Sequence, residues 1–362
     1  MTNKLKITFC IPTLGSGGAE RVISILSKEL TALGFDINIL MLSNEKCKYQ
    51  LDPRVKLHCI HCDDDAALSP VKRCFKRLSK IKGAIKELAP DVVVSFMSET
   101  NIDVCLALWN KKIPIIVSER NDPAIDPASR AKKILRKIAY RKPKHFVFQT
   151  PDAKAYFSKR IGKKSSIILN PLDKGLISPC DASEKDKRIV AVGRLNRQKN
   201  FPLLIKAFGD FSKTHPEHTL EIYGEGALEE ELLRLISEEQ LNDKVSLMGF
   251  CKDVHEKILT AGMFVMSSDF EGMPNALLEA LALGLSCIST DCPCGGPRML
   301  INSGENGILV PIRNQEELTK AMTFLADSPE EAASMAKKAR EVRKIADTES
   351  VVNTWANIIR NV

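Results

Sequence analysis

The chain has 362 residues, of which 44% are hydrophobic and 27% charged, and its formal net charge is +8. This length and composition describe a globular protein of about two domains. No apolar run approaches the ~18–20 residues that cross a bilayer, which excludes a membrane-spanning segment, and without an apolar signal segment we expect a cytoplasmic protein.

Short apolar runs alternate with helical patterns along the chain. They read KITFCIP, DINILML, DVVVSF, IPIIVS, HFVFQT and SIIL in the first half, and IVAVG, LEIYG, VSLMG, MFVMS, LSCIS and GILVP in the second. Near-continuous apolar strands alternating with helices are typical of parallel sheets buried on both faces. Two such sets predict an α/β protein with two Rossmann-like, doubly wound parallel-sheet domains.

The domain boundary is predicted in the polar segment 173–188, which contains Gly and Pro and separates the two sets of strands. We therefore expect an N-terminal domain over residues 1–175 and a C-terminal domain over residues 176–345. The remaining residues, 346–362, are interpreted as a helix that packs back across the interface.

A glycine cluster, GSGG at 15–18, joins the first strand directly to an amphipathic helix. Gly17 and Gly18 would let a phosphate or a sugar approach the backbone closely, and the helix N–H groups would favour an anion. A plain tight turn explains the same residues equally well. Because Glu20 follows the cluster, the spacing does not match G-x-G-x-x-G, and a dinucleotide site is disfavoured.

Positive charge is concentrated in the first half. Residues 1–175 contain 32 Lys and Arg against 17 Asp and Glu, a net +15, whereas the rest of the chain carries −7. Segment 70–88 has seven cations and one acid, and segment 130–144 has eight cations and no acid. Basic amphipathic helices fit anionic membrane surfaces, so we expect membrane contact through cations of the first segment: Lys72, Arg73, Lys76 and Arg77.

An ordinary surface helix is the alternative for segment 70–88. Its apolar stripe would then face the core and would consist of Val71, Phe75, Leu78, Ile81, Ile85 and Leu88. Nucleic acid is not an expected partner, because aromatic residues make up only 6% of the chain and no RNA- or DNA-binding motif occurs.

Metal-ligand patterns are weak. The segment 58–62, HCIHC, contains a CxxC with two histidines, but no second pair lies at a suitable distance. It is followed by an acidic run that we interpret as solvated charge, Asp63, Asp64 and Asp65. We expect no metal and no other cofactor, and we expect the eleven cysteines to be reduced thiols.

Two segments of the second half place charged residues after strands. VGRLNRQKN at 192–200 contains Arg194 and Lys199 in a loop that leads into a predicted helix. Two cations at a helix N-terminus can neutralise a diphosphate without a metal. A solvated basic loop is the alternative. FEGMPNALLEALALG places Glu271 and Glu279 eight residues apart, across a loop that becomes a helix. Carboxylates accept hydrogen bonds from sugar hydroxyls, and surface charge is the alternative.

Taken in order, these motifs resemble the family 4 glycosyltransferases of the GT-B fold, which retain anomeric configuration. The resemblance covers essentially the whole chain and rests on GGAER at 17–21, GRLNRQKN at 193–200, YGEG at 223–226, VSLMGF at 245–250, the Glu271–Glu279 spacing and NGILVP at 306–311. It implies two Rossmann-like domains facing a central cleft. Within the family, the chain is similar to bacterial N-acetylgalactosaminyltransferases that act on polyprenyl-pyrophosphate-linked glycans.

The resemblance implies a donor site in the C-terminal domain. Arg194 and Lys199 would bind the diphosphate of a nucleotide sugar and stabilise its departure, and Glu271 would hold the sugar hydroxyls as the third catalytic residue. Glu279 would bind the ribose hydroxyls. The segment after Glu271 would also bind the donor through Gly272, Met273, Pro274 and Asn275. Phe250 and Cys251 would lie beside the base, and Gly17 and Gly18 of the other domain would approach the diphosphate.

The implied acceptor site lies in the N-terminal domain and departs from the family pattern. Many relatives carry a histidine after the strand that matches IPIIVS, and here Arg120 takes that place between Glu119 and Asn121. Arginine can bind a phosphate or sugar oxygen but cannot act as a base near neutral pH. Glu119 or Asn121 is the alternative residue for orienting the acceptor.

We therefore expect a metal-independent, retaining transferase that moves a hexose or an N-acetylhexosamine, with UDP-GalNAc favoured, from a nucleotide sugar to a lipid-linked glycan. It would act as a peripheral protein on the anionic inner face of the cell membrane. Two alternatives stay open: a GDP-mannose or UDP-hexose transferase of capsule or lipopolysaccharide synthesis, and a catalytically silent glycan- or nucleotide-binding protein on the same fold.

Overall fold

The chain forms two compact units, one made of residues 1–171 with 348–362 and the other of residues 172–347. The boundaries predicted from the sequence lie nearby, after residues 175 and 345. The computed structural model describes residues 4–15, 17–43, 47–62, 67–180 and 185–362. None of the helices within these ranges is long and apolar enough to cross a bilayer.

Unit 1 contains a seven-stranded sheet in its described residues. The strands are β1 (Lys6–Ile11), β2 (Asp36–Met41), β3 (Lys56–Cys59), β4 (Val92–Phe96), β5 (Ile115–Ser118), β6 (His145–Phe148) and β7 (Ser165–Ile167). Their order is β3-β2-β1-β4-β5-β6-β7, and all neighbouring strands are parallel. Phe9 of β1 lies opposite Ile39 on one side and Val94 on the other.

The helices of unit 1 are α1 (Gly18–Ala32), α2 (Pro70–Leu88), α3 (Ser98–Ala107), α4 (Arg130–Ala139), α5 (Pro151–Ala155), α6 (Lys159–Gly162) and the C-terminal helix (Thr348–Arg360). The C-terminal helix is held in the core of this unit by Trp355, which is fully buried and stacks on Phe96 with ring centroids 5.8 Å apart. An aromatic pair of this kind adds about 0.5–1.5 kcal/mol beyond the burial of its area.

Unit 2 contains a six-stranded parallel sheet in its described residues, with the strands β8 (Arg188–Val192), β9 (Thr219–Tyr223), β10 (Val245–Gly249), β11 (Met263–Met266), β12 (Ser286–Thr290) and β13 (Ile308–Val310). Its helices are α7 (Phe201–Ser212), α8 (Glu229–Glu238), α9 (Val254–Ile258), α10 (Asn275–Ala282), α11 (Gln315–Asp327), α12 (Pro329–Ala339) and α13 (Val342–Ile345).

Both sheets reverse their strand order at one point, which lies between β1 and β4 in unit 1 and between β8 and β11 in unit 2, where the order is β10-β9-β8-β11-β12-β13. The prediction of two doubly wound parallel-sheet domains is confirmed. In open parallel sheets the loops at such a reversal separate and leave a crevice at the carboxyl ends of the strands, where ligands bind.

Candidate functional site

The two loops at the reversal point of unit 2 are joined by backbone and side-chain hydrogen bonds. One loop follows β8 and the other follows β11, and these strands are parallel neighbours. The Asp269 N–H donates to the Gln198 carbonyl (2.8 Å), and the Gln198 amide donates to the Phe270 carbonyl (2.9 Å). The Ser267 hydroxyl donates to the Lys199 carbonyl (2.9 Å). These contacts fix residues that lie about 70 positions apart in the chain.

Lys199 and Glu271 form an ion pair between these loops. The Lys199 Nζ donates to the Glu271 Oε1 at 2.6 Å, and the Ser268 Oγ donates to the same oxygen at 2.8 Å. The side chains of Lys199 and Glu271 are only 16% and 9% exposed. Charges removed from water to this extent are stable only when paired and hydrogen-bonded. The site therefore holds an anion-binding group directly beside a group that accepts hydrogen bonds from hydroxyls.

Glycines make room for this pair. A Cβ on Gly193 would lie 2.8 Å from the Lys199 Cε, so the lysine stem passes over a position where a side chain would collide with it. Gly224 of YGEG has a φ of +146°, and its Cβ would lie 1.9 Å from the Gly193 carbonyl oxygen. The backbones of the GR and YGEG motifs therefore pack directly against each other, next to the Lys199 side chain.

Glu279 occupies α10, the helix that begins shortly after Glu271. Its Oε2 lies 2.9 Å from the His255 Nε2 of α9, and both side chains are less than a fifth exposed. Sequence reasoning missed His255, because a single histidine in a short polar helix carries no spacing signal. The two glutamates of the motif therefore each have their own basic partner.

The segment between the two glutamates is tightly packed. A Cβ on Gly296 would lie 1.7 Å from the Gly272 carbonyl oxygen and 3.0 Å from the Pro274 Cδ. Met273 is buried, and α10 begins at Asn275 after Pro274. The CGGP turn at 294–297 therefore fixes the loop below Glu271. Sequence reasoning also missed this turn, although its two glycines follow a strand in the same way as the other motifs.

Three further predicted donor residues lie at the same edge of the second sheet. Arg194 is exposed in the loop after β8, and Phe250 and Cys251 follow β10 directly. The Phe250 ring is 51% exposed, whereas Cys251 is partly buried. Parallel strands bring their carboxyl ends to one edge, so all the predicted donor residues of unit 2 share it.

The glycine cluster of unit 1 is less open than its sequence indicates. Gly17 precedes α1, and Gly18 begins it. A Cβ on Gly17 would lie 2.1 Å from the Glu20 Oε2, so the glutamate side chain covers this position. A close approach of phosphate to Gly17 and Gly18 stays a prediction, and it requires Glu20 to move.

Glu119 is buried inside unit 1, with only 2% of its surface exposed. Its carboxylate accepts hydrogen bonds from the Ser98 hydroxyl (2.6 Å) and from the Tyr140 hydroxyl. Burial raises its pKa, an effect opposed by the nearby Arg136 and these hydrogen bonds. In this arrangement Glu119 connects α3 with the end of α4, and its carboxylate is not exposed to a glycan substrate. The Asn121 side chain accepts from the Asp122 N–H at 2.9 Å and shapes the same loop.

The predicted apolar stripe of α2 divides into two halves. Ile81 and Ile85 are buried against the unit, but Val71 and Phe75 near the start of the helix are 66% and 70% exposed. The sequence left two interpretations of this helix open. The core-facing stripe describes its second half, and the exposed amphipathic surface describes its first half. The neighbouring helix α3 contacts both α2 and α4.

The cations of α2 are not equivalent. Lys72, Arg73 and Lys76 are exposed, whereas Arg77 is half-buried and its Nε lies 2.9 Å from the Asp103 Oδ2 of α3. The prediction that Arg77 belongs to the surface group therefore needs correction, because this arginine ties α2 to α3.

The CxxC segment makes local hydrogen bonds. The His58 Nε2 lies 3.2 Å from the Asn38 Oδ1, and the Cys59 thiol donates to the Ser43 carbonyl at 3.0 Å. Across the described ranges, no three His, Cys, Asp or Glu side chains are grouped so that they could hold a metal ion. Asp63, Asp64 and Asp65 lie outside the described residues.

Fold and site together define a two-unit α/β protein whose second sheet presents a cation and a carboxylate where phosphorylated ligands bind. Two family models match the chain: Glycosyltransferase Family 4 over residues 16–175 and Glycosyl transferases group 1 over residues 178–342. The chain belongs to the glycosyltransferases, and the GT-B architecture expected from its motifs is confirmed.

Two curated relatives match nearly the whole chain. It is 29% identical to N-acetylgalactosamine-N,N'-diacetylbacillosaminyl-diphospho-undecaprenol 4-alpha-N-acetylgalactosaminyltransferase of Campylobacter jejuni, over 94% of this chain and 96% of the relative. It is 27% identical, over 99% of both chains, to GalNAc-alpha-(1->4)-GalNAc-alpha-(1->3)-diNAcBac-PP-undecaprenol alpha-1,4-N-acetyl-D-galactosaminyltransferase of the same species. The solved structure of Anabaena HepE with UDP-glucose has a TM-score of 0.84 at 17% identity, covering 99% of this chain and 100% of HepE.

Proposed function

We propose that the chain transfers a hexose or an N-acetylhexosamine from a UDP-sugar, with UDP-GalNAc favoured, to a lipid-linked oligosaccharide or polysaccharide precursor. The contact between Lys199 and Glu271 is the observation that carries this proposal. In a nucleotide sugar the β-phosphate is bonded directly to the sugar ring. An ammonium and a carboxylate 2.6 Å apart match that junction, since one binds phosphate oxygens and the other accepts from ring hydroxyls.

The other donor residues extend from this junction. Arg194, exposed after the same strand as Lys199, adds a second cation for the diphosphate. Glu279, oriented by His255, accepts from the ribose hydroxyls, and the exposed Phe250 ring offers a face for the base. The segment 272–275 lies beside the sugar.

The proposed reaction retains configuration and needs no metal. The acceptor hydroxyl attacks the anomeric carbon from the face that the leaving diphosphate occupies. The bond from that carbon to the β-phosphate oxygen breaks with its electron pair on the phosphate, and a phosphate oxygen takes the hydroxyl proton. Lys199 and Arg194 stabilise the negative charge that develops on the leaving group, a role that cations fill without a metal.

The names of the two Campylobacter relatives support the acceptor class, because both include an undecaprenol-linked diphosphate. An acceptor of this kind lies in a membrane, and we propose peripheral binding at its inner, anionic face. The docking surface would consist of the start of α2 and the outer side of α4, where exposed apolar side chains lie among cations: Val71, Lys72, Arg73, Phe75, Lys76, Ile134, Leu135 and Ile138.

Reversing the charge of Lys72 and Arg73 to glutamate should weaken binding to vesicles of phosphatidylglycerol and phosphatidylcholine by at least about tenfold. Each basic residue near an anionic surface contributes about 1 kcal/mol, and both side chains are exposed. Flotation or co-sedimentation measures the effect. Lys337→Glu with Lys338→Glu is the matched control, because this adjacent pair is also exposed on a helix but lies in unit 2. Equal binding of both variants would contradict the proposed surface.

Replacing His255 with alanine should weaken UDP binding by roughly 2- to 10-fold, because one hydrogen bond that orients Glu279 is lost. Isothermal titration calorimetry measures the change. His215→Ala is the control, since His215 makes a similar hydrogen bond to Asp327 elsewhere in unit 2. If both variants lose the same affinity, His255 has no specific role in the nucleotide site.

Thermal stabilisation by a panel of UDP-, GDP-, ADP- and TDP-sugars in the presence of EDTA tests the donor proposal. Selective stabilisation by UDP-sugars is the expected result. Stabilisation by GDP-mannose alone would indicate a GDP-mannose transferase. Stabilisation by UDP without any sugar transfer would indicate a catalytically silent binding protein.

A further inference from the structure

Arg120 occupies an unusual position in unit 1. It lies two residues beyond the carboxyl end of β5, at the edge where parallel sheets bind ligands. Its guanidinium carbon lies 4.2 Å from the centre of the Phe96 ring and 5.9 Å from that of Trp355. Its Nη1 donates to the Asn170 Oδ1 at 2.7 Å. Stacking and this hydrogen bond fix the plane of the guanidinium.

No carboxylate in the described ranges pairs with Arg120, and its Nε and Nη2 atoms are buried without an acceptor. The adjacent Glu119 is already engaged by Ser98 and Tyr140. Burial lowers the pKa of Arg120 to about 9. Arg120 as a whole is only partly buried, but cationic N–H groups held away from water without an acceptor destabilise a fold unless a ligand supplies the missing charge.

The oxygen that accepts from Arg120 is shared with a second donor, and a neighbouring N–H group has no acceptor among the described residues. The Asn170 Oδ1 receives a second hydrogen bond from the Gln149 Nε2 at 2.6 Å, so one oxygen serves two donors. The indole N–H of Trp355 is buried and has no acceptor among the residues described. Among the described residues, this part of the unit therefore holds nitrogen atoms of Arg120 and Trp355 that are buried without an acceptor.

We infer that Arg120 binds a phosphate group of a substrate. Guanidinium binds phosphate oxygens through two parallel N–H groups, and phosphate supplies both the charge and the acceptors that this part of the unit lacks. The inference rests on the proposed function, in which the diphosphate of the lipid-linked acceptor supplies that chemistry. A purely structural arginine would instead serve only to connect the strand ends with the C-terminal helix.

The experiment compares the full-length protein with its Arg120→Met and Arg120→Lys variants, using farnesyl diphosphate and UDP as separate probes in calorimetry. Arg120→Met should bind farnesyl diphosphate about 10- to 100-fold more weakly, the scale of lost charged hydrogen bonds, and should keep its affinity for UDP. Arg120→Lys should recover part of the loss. A loss confined to farnesyl diphosphate supports binding of the acceptor diphosphate, and a loss confined to UDP would overturn the inference. Arg160→Met, which removes an exposed arginine of the same unit, should change neither affinity.

Unchanged affinity for both probes in Arg120→Met, with a lower melting temperature, would overturn the inference and leave Arg120 a structural role. If Arg120→Met does not fold, Arg120→Lys decides, because it keeps the charge but loses the paired N–H groups; affinities equal to those of the unmodified chain would then overturn the inference. The readout is binding and needs no turnover. Failure of sugar transfer by the unmodified chain is therefore distinguishable from failure of this inference.

Discussion

Replacing Glu271 with glutamine is expected to reduce sugar transfer by about 10- to 150-fold while leaving UDP affinity unchanged or slightly higher. The carboxylate accepts from sugar hydroxyls in the proposed complex, and a lost hydrogen bond to a charged group is worth about 1.5–3 kcal/mol. Glutamine fills the same space, but it leaves Lys199 without its anion. The freed ammonium then favours the diphosphate, which is why UDP binding should not suffer.

Initial rates with a UDP-sugar, together with UDP titrations, measure the two quantities. The control is Glu305→Gln, since Glu305 is an exposed glutamate of the same unit and should affect neither. Parallel losses of transfer and UDP affinity in Glu271→Gln would show that Glu271 does not contact the transferred sugar.

Replacing Lys199 with methionine should weaken UDP binding by about 5- to 150-fold, the equivalent of roughly 1–3 kcal/mol for a lost charged hydrogen bond. UMP lacks the β-phosphate and should be affected much less. Calorimetry with both nucleotides therefore shows whether Lys199 contacts the β-phosphate. Equal losses of UMP and UDP affinity in Lys199→Met would show that Lys199 does not contact the β-phosphate.

Stability needs a separate control in this case, because Lys199→Met leaves the buried Glu271 carboxylate with the Ser268 hydrogen bond but without a counter-charge. Breaking a buried ion pair on one side costs about 3–5 kcal/mol. Lys199→Met combined with Glu271→Gln should therefore recover melting temperature but not UDP affinity. Lys206→Met, at an exposed lysine on α7, should leave both unchanged.

Much of the fold could be predicted because each strand carries its own signal. β4 reads VVVSF and is buried throughout, as expected for a strand covered on both faces. The meeting of Lys199 with Glu271 could not follow from spacing, since 72 residues separate them. It depends on β11 joining the sheet beside β8, and in the sequence only the family resemblance indicated that both residues serve one site.

The remaining features depend on tertiary partners that leave no local pattern. Arg77 looks like its exposed neighbours in the sequence, and only Asp103 on α3 makes it a structural residue. Glu119 follows a strand end as a ligand-binding residue would, but Tyr140 and Ser98 hold it inside the unit. His255 is likewise defined only by its contact with Glu279.

The most direct test of the central claim is a transfer assay with the purified protein, UDP-GalNAc and an undecaprenyl-diphosphate-linked glycan, in the presence of EDTA. Mass spectrometry and NMR of the product should show the addition of N-acetylhexosamine in the same anomeric configuration as in the donor. Product of inverted configuration would contradict the proposed mechanism. No transfer from any UDP-sugar, with UDP bound at saturation, would contradict the assignment of this chain as an active UDP-sugar transferase.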